Sequence, residues 1–186
     1  MEREVSAANE LLDRIDAVTK CEKHMIGGNH EDRYEAFRTN HGFEVSIRRM
    51  KDFTSWDKEY NLKKRGWAHV DYGKNIQIGK IVFTHGWYAS TNAAAKMAQC
   101  FPGRNVIFGH THRHLIYGCL DERDLPIESE SIGTLSRFDL SYLRGKPPTD
   151  WIHSFLYIDI LDNGYFTKHY VRIIDGGFIE YGKEFR

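Results

Sequence analysis

The sequence predicts an α/β fold, and three features of the 186-residue chain indicate it. Short apolar runs typical of buried strands end at Ile26, Phe83 and Phe108, and a glycine and a histidine follow each run closely. Helical patterns lie before and between these runs. From Leu115 onward the chain changes to β-type runs that are separated by turn residues.

The first half of the chain is predicted to contain two helices and one strand. Residues 5–18 have a helical apolar face. A strand ends at Met25-Ile26, and residues 32–38 form the next helix. Residues 40–80 mix aromatic, charged and glycine residues, which predicts a loop-rich, cap-like excursion with one or two short helices. The apolar face of the first helix comprises Leu11, Leu12, Ile15 and Val18.

In the second half, strands are predicted at 78–83 and 105–108, with an alanine-rich helix at 92–99 between them. Further strand-like runs lie at 115–117, 154–158 and 170–174. Asp162-Asn163-Gly164 is a turn signal between the last two. The chain contains no internal repeat, and we expect a single domain over residues 1–186.

Charge and cysteine content narrow the function classes. The 26 basic and 26 acidic residues cancel, so no overall field attracts the chain to an anionic membrane, although nucleic acid stays open as a substrate. Cys21, Cys100 and Cys119 form no C-x-x-C pair, which predicts a cytoplasmic protein without a disulfide framework. Because no apolar stretch approaches the ~20 residues of a membrane span, we expect no membrane partner.

Histidines at predicted strand ends are the candidate functional residues. They occur in Gly28-Asn29-His30-Glu31, in Thr84-His85-Gly86 and in Gly109-His110-Thr111-His112. Ligand sites in open α/β sheets form where the carboxyl ends of strands meet the following loops. Imidazole nitrogens bind divalent transition metals, and an Asn carbonyl oxygen suits Mn²⁺ or Fe²⁺. An extended backbone over 110–112 is expected to direct both of its histidines to one side.

In this order and at this spacing, the three motifs G-N-H-E, H-G and G-H-T-H resemble the last three motifs of the calcineurin-like metallophosphoesterases. The resemblance covers most of the chain and implies an αββα double-sandwich fold with two metals at the strand ends. It further implies that Asn29, His85 and His110 bind the second metal and that His112 binds the first. His30 matches the catalytic histidine that stabilises or protonates the leaving group.

The family's two earlier motifs, D-x-H and G-D-x-x-D, are missing from this chain. Only 28 residues precede Asn29, so we expect the fold to be truncated at its N-terminus. Without the carboxylate ligands, at most one site for a divalent metal (Mn, Fe or Zn) should be well formed. Loss of central strands should also expose sheet edges, which invite a partner: the missing N-terminal segment or a second subunit.

The resemblance implies a metal-dependent phosphoester hydrolase whose activity is impaired in this truncated chain. The alternative is a non-catalytic remnant or a partner-binding subunit, and a third hypothesis is a module that only binds metal. The class of phosphoester substrate stays open. Arg113 and His114, which follow the last motif, are candidates for contact with a substrate phosphate.

Overall fold

The structure is a computed structural model that describes residues 2–41, 55–138 and 150–186, and it has a mixed α/β fold. The chain divides into two compact units, residues 1–74 and residues 75–186. A single domain over the whole chain stays a prediction.

The first unit combines helices with a two-stranded sheet. Strands β1 and β2 are parallel, and Lys23 is paired with Trp67 at the start of the register. Within the predicted excursion at 40–80, residues 42–54 lie outside the described part. Residues 55–80 of this excursion form two short helices, as expected, and also strands. The elements in chain order are α1 (Glu2–Val18), β1 (Lys23–Ile26), α2 (Asn29–His41), α3 (Trp56–Glu59), α4 (Leu62–Arg65) and β2 (Trp67–Val70).

A small core of Leu12, Trp56 and Leu62 holds the first unit together, with Met25 and Trp67 partly buried against it. The predicted apolar face of α1 is only partly correct. Leu12 is buried, whereas Leu11 and Val18 are exposed. The helical period shows which residues share a face, but tertiary packing covers only part of that face.

The second unit contains the main sheet. Its five strands lie in the order β3-β4-β5-β7-β6 among the described residues; β4, β5 and β7 are parallel, and β3 and β6 run antiparallel at the edges. Two hairpins follow, β8–β9 and β10–β11. The elements in chain order are β3 (Asn75–Ile78), β4 (Ile81–Thr84), α5 (Ala93–Cys100), β5 (Asn105–Phe108), β6 (Leu115–Leu120), β7 (Pro126–Ser131), β8 (Ser154–Ile160), β9 (Phe166–Arg172), β10 (Phe178–Glu180) and β11 (Lys183–Phe185).

The strand predicted at 78–83 is wrong in its first part. Residues Gly79 and Lys80 form a tight turn, and Ile78 on β3 is paired with Ile81 on β4. Gly79 has a φ of 56°, a conformation that glycine adopts without steric cost. The apolar run therefore belongs to two antiparallel strands, because the turn residue interrupts it.

Helix α5 covers one face of the main sheet and forms the core of the second unit. Ala93, Ala94 and Met97 pack against Val106 and Phe108 of β5. Alanine and methionine are good helix formers, and small residues let the helix approach the sheet closely. Among the described helices, none is both long and apolar enough to cross a membrane.

Candidate metal centre

His85 and His110 lie together at the carboxyl ends of two adjacent parallel strands. Thr84, the last residue of β4, is in register with Phe108, the last residue of β5, so the residues that follow meet at one edge. His110 Nδ1 is 3.2 Å from His85 Nε2. The ring centroids are 5.1 Å apart, with an edge-on angle of 66°. The structure thus brings these two predicted ligands into direct contact.

Glycines that follow both strands allow this approach. Gly86 has a φ of 84°, and a Cβ there would lie 2.7 Å from the Phe108 ring. Gly109 donates its backbone N–H to the His85 carbonyl at 3.1 Å. The two turns are therefore tied to each other immediately beside the histidine pair.

Both histidines of the G-H-T-H motif have a left-handed backbone, with φ of 65° at His110 and 60° at His112. The extended conformation expected for this segment is therefore wrong. Left-handed conformations at residues other than glycine cost roughly 1–3 kcal/mol each and cluster at functional sites. Two such residues in three positions require a loop that is held by other contacts.

Those contacts come from residues distant in sequence. The buried Thr111 hydroxyl lies 2.5 Å from the Ser131 hydroxyl at the end of β7. Ser131 also donates to the Gly109 carbonyl at 3.3 Å, and Ile152 N–H donates to the His112 carbonyl at 3.0 Å. Sequence reasoning missed the role of Ile152, because no local pattern shows which distant residues contact this loop.

His112 packs against Trp151, with ring centroids 4.1 Å apart at 79°. Trp151 also makes an edge contact with Phe138. The His112 ring is therefore held by an aromatic neighbour. Its assignment to the first metal of the family stays a prediction.

Asn29 and His30 belong to the first unit, where they are the first two residues of helix α2. Glu31 accepts a hydrogen bond from the Gly28 backbone N–H at 2.8 Å, and Asp32 N–H donates to the Gly28 carbonyl. This arrangement is half of a capping box, in which an acidic side chain satisfies a backbone donor at the helix start. The proposed roles of Asn29 and His30 in metal binding and catalysis stay predictions.

Arg113 and His114 have protein partners in the structure. Arg113 Nε lies 2.6 Å from Asp150, and Arg113 Nη1 donates to the Ala89 carbonyl at 3.4 Å. His114 Nε2 is 2.9 Å from Glu130, and its ring stacks on Tyr170 at 3.7 Å. Contact of Arg113 or His114 with a phosphate would have to compete with these interactions.

Glu130, the partner of His114, is a buried carboxylate that is 2% exposed. Glu130 also contacts the Lys168 ammonium of β9, and these three residues form a charged cluster with Glu128. Lys168 lies 2.6 Å from Glu128 as well. Burial disfavours the Lys168 charge, but the hydrogen bonds that Lys168 donates to Glu128 and Glu130 outweigh this effect and raise the pKa of Lys168. The cluster therefore links β9 to β7 through paired charges.

The His85–His110 pair fits two ligands of one metal ion. In a tetrahedral zinc site with bonds of about 2.0–2.1 Å, two ligand nitrogens are about 3.3 Å apart. The observed separation of 3.2 Å agrees with that value. Within the residues that the structure describes, however, no group of three or more His, Cys, Asp or Glu side chains is arranged to hold a metal. The pair would need further ligands of another type or from elsewhere.

Comparison of the chain with protein-family models, with curated proteins and with solved structures finds no match in any of the three.

Proposed function

We propose that this chain is a metal-dependent phosphoester hydrolase of the calcineurin-like type, with an αββα double-sandwich fold. The observation that carries the proposal is the His85–His110 pair, two imidazoles in contact at the carboxyl ends of β4 and β5. The left-handed backbone at His110 supports it, because a strained residue beside a second histidine is typical of a site built for function.

His85 and His110 would hold a Mn, Fe or Zn ion through His85 Nε2 and His110 Nδ1. When bound, such an ion supplies a Lewis acid that polarises a phosphoryl oxygen and makes bound water more acidic. The chain's own contribution is to hold both imidazoles in place, and the Gly109–His85 backbone hydrogen bond and the Thr111–Ser131 contact do this. Because both ligands are neutral, we expect weak metal binding and low activity.

Metal binding is tested first, with the metal-free protein and Zn²⁺ in calorimetry or Co²⁺ in visible absorption. His85→Ala and His110→Gly should each weaken binding strongly, since losing even an outer partner of a ligand costs about 10- to 100-fold. His110→Gly keeps the left-handed backbone without strain, so a loss of binding is not a loss of fold. His169→Ala removes a histidine that is paired with Asp159, and it should leave binding unchanged.

Activity is tested with Mn²⁺ and two substrates, p-nitrophenyl phosphate and bis-p-nitrophenyl phosphate. Metal-dependent turnover that disappears in His110→Gly and persists in His169→Ala supports the hydrolase. Equal metal binding by wild type and both site variants would reject the histidine pair as the metal centre.

A non-catalytic, partner-binding subunit is the second candidate. It is motivated by the sequence, which lacks the D-x-H and G-D-x-x-D motifs whose carboxylates the resemblance would require. Two-metal hydrolysis requires bridging ligands that hold both ions. A folded protein that turns over neither substrate would favour this candidate over the hydrolase, whereas metal binding at His85 and His110 without turnover would favour the module that only binds metal.

A further inference from the structure

Strand β6 is an edge of the main sheet, within the described residues, and its sequence lacks two common devices against pairing. Its only strand neighbour among the described residues is β7. The segment Leu115–Leu120 contains no charged residue and no proline, the two devices that most often block edge pairing. Ile116, Tyr117 and Leu120 are exposed by 56%, 41% and 62%. An edge of this kind favours the addition of another strand.

The four residues that flank Gly118 in β6 are arranged symmetrically about it. Ile116 and Leu120 are each two residues from Gly118, and alternation puts all three on one face. Tyr117 and Cys119 are each one residue away, on the other face. A strand with this arrangement can pair with an antiparallel copy of itself, so that Ile116 lies opposite Leu120 and Tyr117 opposite Cys119, whereas Leu115 lies opposite Asp121, which follows the strand.

A groove beside β6 has room for a side chain from that copy. It has a volume of about 430 Å³ and lies between the C-terminal end of α5 and the strand. Its lining includes Ala98, Gln99, Tyr117 and Cys119. In a pair centred on Gly118, the Tyr117 of each copy lies opposite the Cys119 of the other, at the mouth of this groove.

We propose that β6 is a homodimerisation surface, on which two copies of this chain pair antiparallel about a two-fold axis at Gly118. The pairing joins the two five-stranded sheets into one sheet of ten strands. A two-fold axis makes the interface self-complementary: Ile116 lies opposite Leu120 of the second copy, and Leu120 opposite its Ile116. Because β6 is uncharged, the pairing places no like charges opposite each other within the strand.

The register is tested by disulfide formation in the full chain, with Cys21, Cys100 and Cys119 replaced by serine. Opposite residues of antiparallel strands have Cα atoms about 4.5–5.5 Å apart, a separation that a disulfide spans. A Cβ at Gly118 would meet no atom within 4 Å, so Gly118→Cys fits the monomer. We expect Gly118→Cys to form a covalent dimer on mild oxidation. Ile116→Cys should not, because its two copies would lie far apart along the strands.

The apolar pairing is tested by sedimentation equilibrium of the full chain over a concentration series. Leu120→Lys should weaken the dimer at least about tenfold, because it desolvates a charge against Ile116 of the second copy. Ile116→Glu added to Leu120→Lys should restore it by placing opposite charges across the strands. A monomeric wild type would overturn the proposal. Equal cross-linking of Gly118→Cys and Ile116→Cys, or failure of the double variant to recover, would overturn the Gly118-centred register.

Discussion

At the scale of single residues, Asp16 connects three parts of the first unit. Its carboxylate lies 2.7 Å from Lys23 Nζ and accepts from Trp67 Nε1 at 2.8 Å and from Arg65 Nη1 at 2.9 Å. These groups belong to β1, β2 and α4, so Asp16 ties the end of α1 to the small sheet. The hydrogen bonds from Lys23 and Trp67, followed by that from Arg65, hold the pKa of Asp16 well below its usual range.

This lowered pKa predicts how stability depends on pH. An unfolded Asp has a pKa of about 3.9, so the stabilisation by Asp16 is fully present above that pH. It is lost as the pH falls through the lower pKa of the folded protein. We expect Asp16→Asn to lower the Tm at pH 7. The decrease of the Tm between pH 5 and pH 2 should also be smaller in this variant than in the wild type. Asp162→Asn, at an exposed turn, is the control, and an identical acid profile for both variants would contradict the prediction.

His110 is a single residue whose backbone conformation is strained. Its imidazole contacts His85, while its own backbone has an unfavourable left-handed φ of 65°. The Thr111 and Ser131 hydroxyls and the Gly109 turn hold this conformation from the outside. Glycine would adopt this φ without strain, so the strain at His110 supports the proposal that its imidazole has a function.

At the scale of secondary structure, helix α5 stabilises the main sheet through one face. Met97 is fully buried between the helix and β5, and Ala93 and Ala94 lie beside it. Gln99, two residues further on, is exposed. Helix α5 therefore contributes to stability by packing, since eight residues are too few for a helix that is stable by itself.

Met97→Ala is expected to lower the free energy of unfolding by about 2–5 kcal/mol, because it leaves a cavity under α5. Denaturant unfolding followed by circular dichroism measures the change. Gln99→Ala, on the exposed side of the same helix, should change stability by less than about 0.5 kcal/mol. A similar cost for both variants would mean that α5 does not bury Met97 as described.

At the scale of the whole molecule, the division at residue 74 predicts independent folding of the second unit. Residues 75–186 contain the main sheet, helix α5 and the core of Val106, Phe108 and Met97. Expressed alone, this segment should unfold cooperatively on heating, with a single transition in far-ultraviolet circular dichroism. It should also retain the contact between His85 and His110.

The thermal unfolding of residues 1–74, expressed alone, is the comparison. Among their described residues, the core consists of three buried side chains beside a two-stranded sheet, and a chain of this size buries too little surface to be more than marginally stable. We expect a broader and lower transition for this segment. A non-cooperative transition for residues 75–186 would show that the second unit depends on the first.

How far the sequence alone predicts this molecule depends on whether a feature is local. The strand ends at Ile26 and Phe108, the helix at 92–99 and the turn at 162–164 are all confirmed, because apolar period and turn chemistry act over a few residues. The same local pattern placed His85 and His110 each at the end of a strand, and the structure brings the two side chains together. The family resemblance built on these motifs stays a prediction.

Only the tertiary structure decided which segments pair with each other. It also decided which residues adopt a strained backbone conformation. The turn at Gly79 divides a predicted strand, and β3 becomes an antiparallel edge. The left-handed backbone of His110 and His112 exists because Ser131 and Ile152 hold the loop from far along the chain. Hydrogen bonds between distant segments carry no signature in the residues nearby, so a sequence can show where a strand ends without showing what lies beside it.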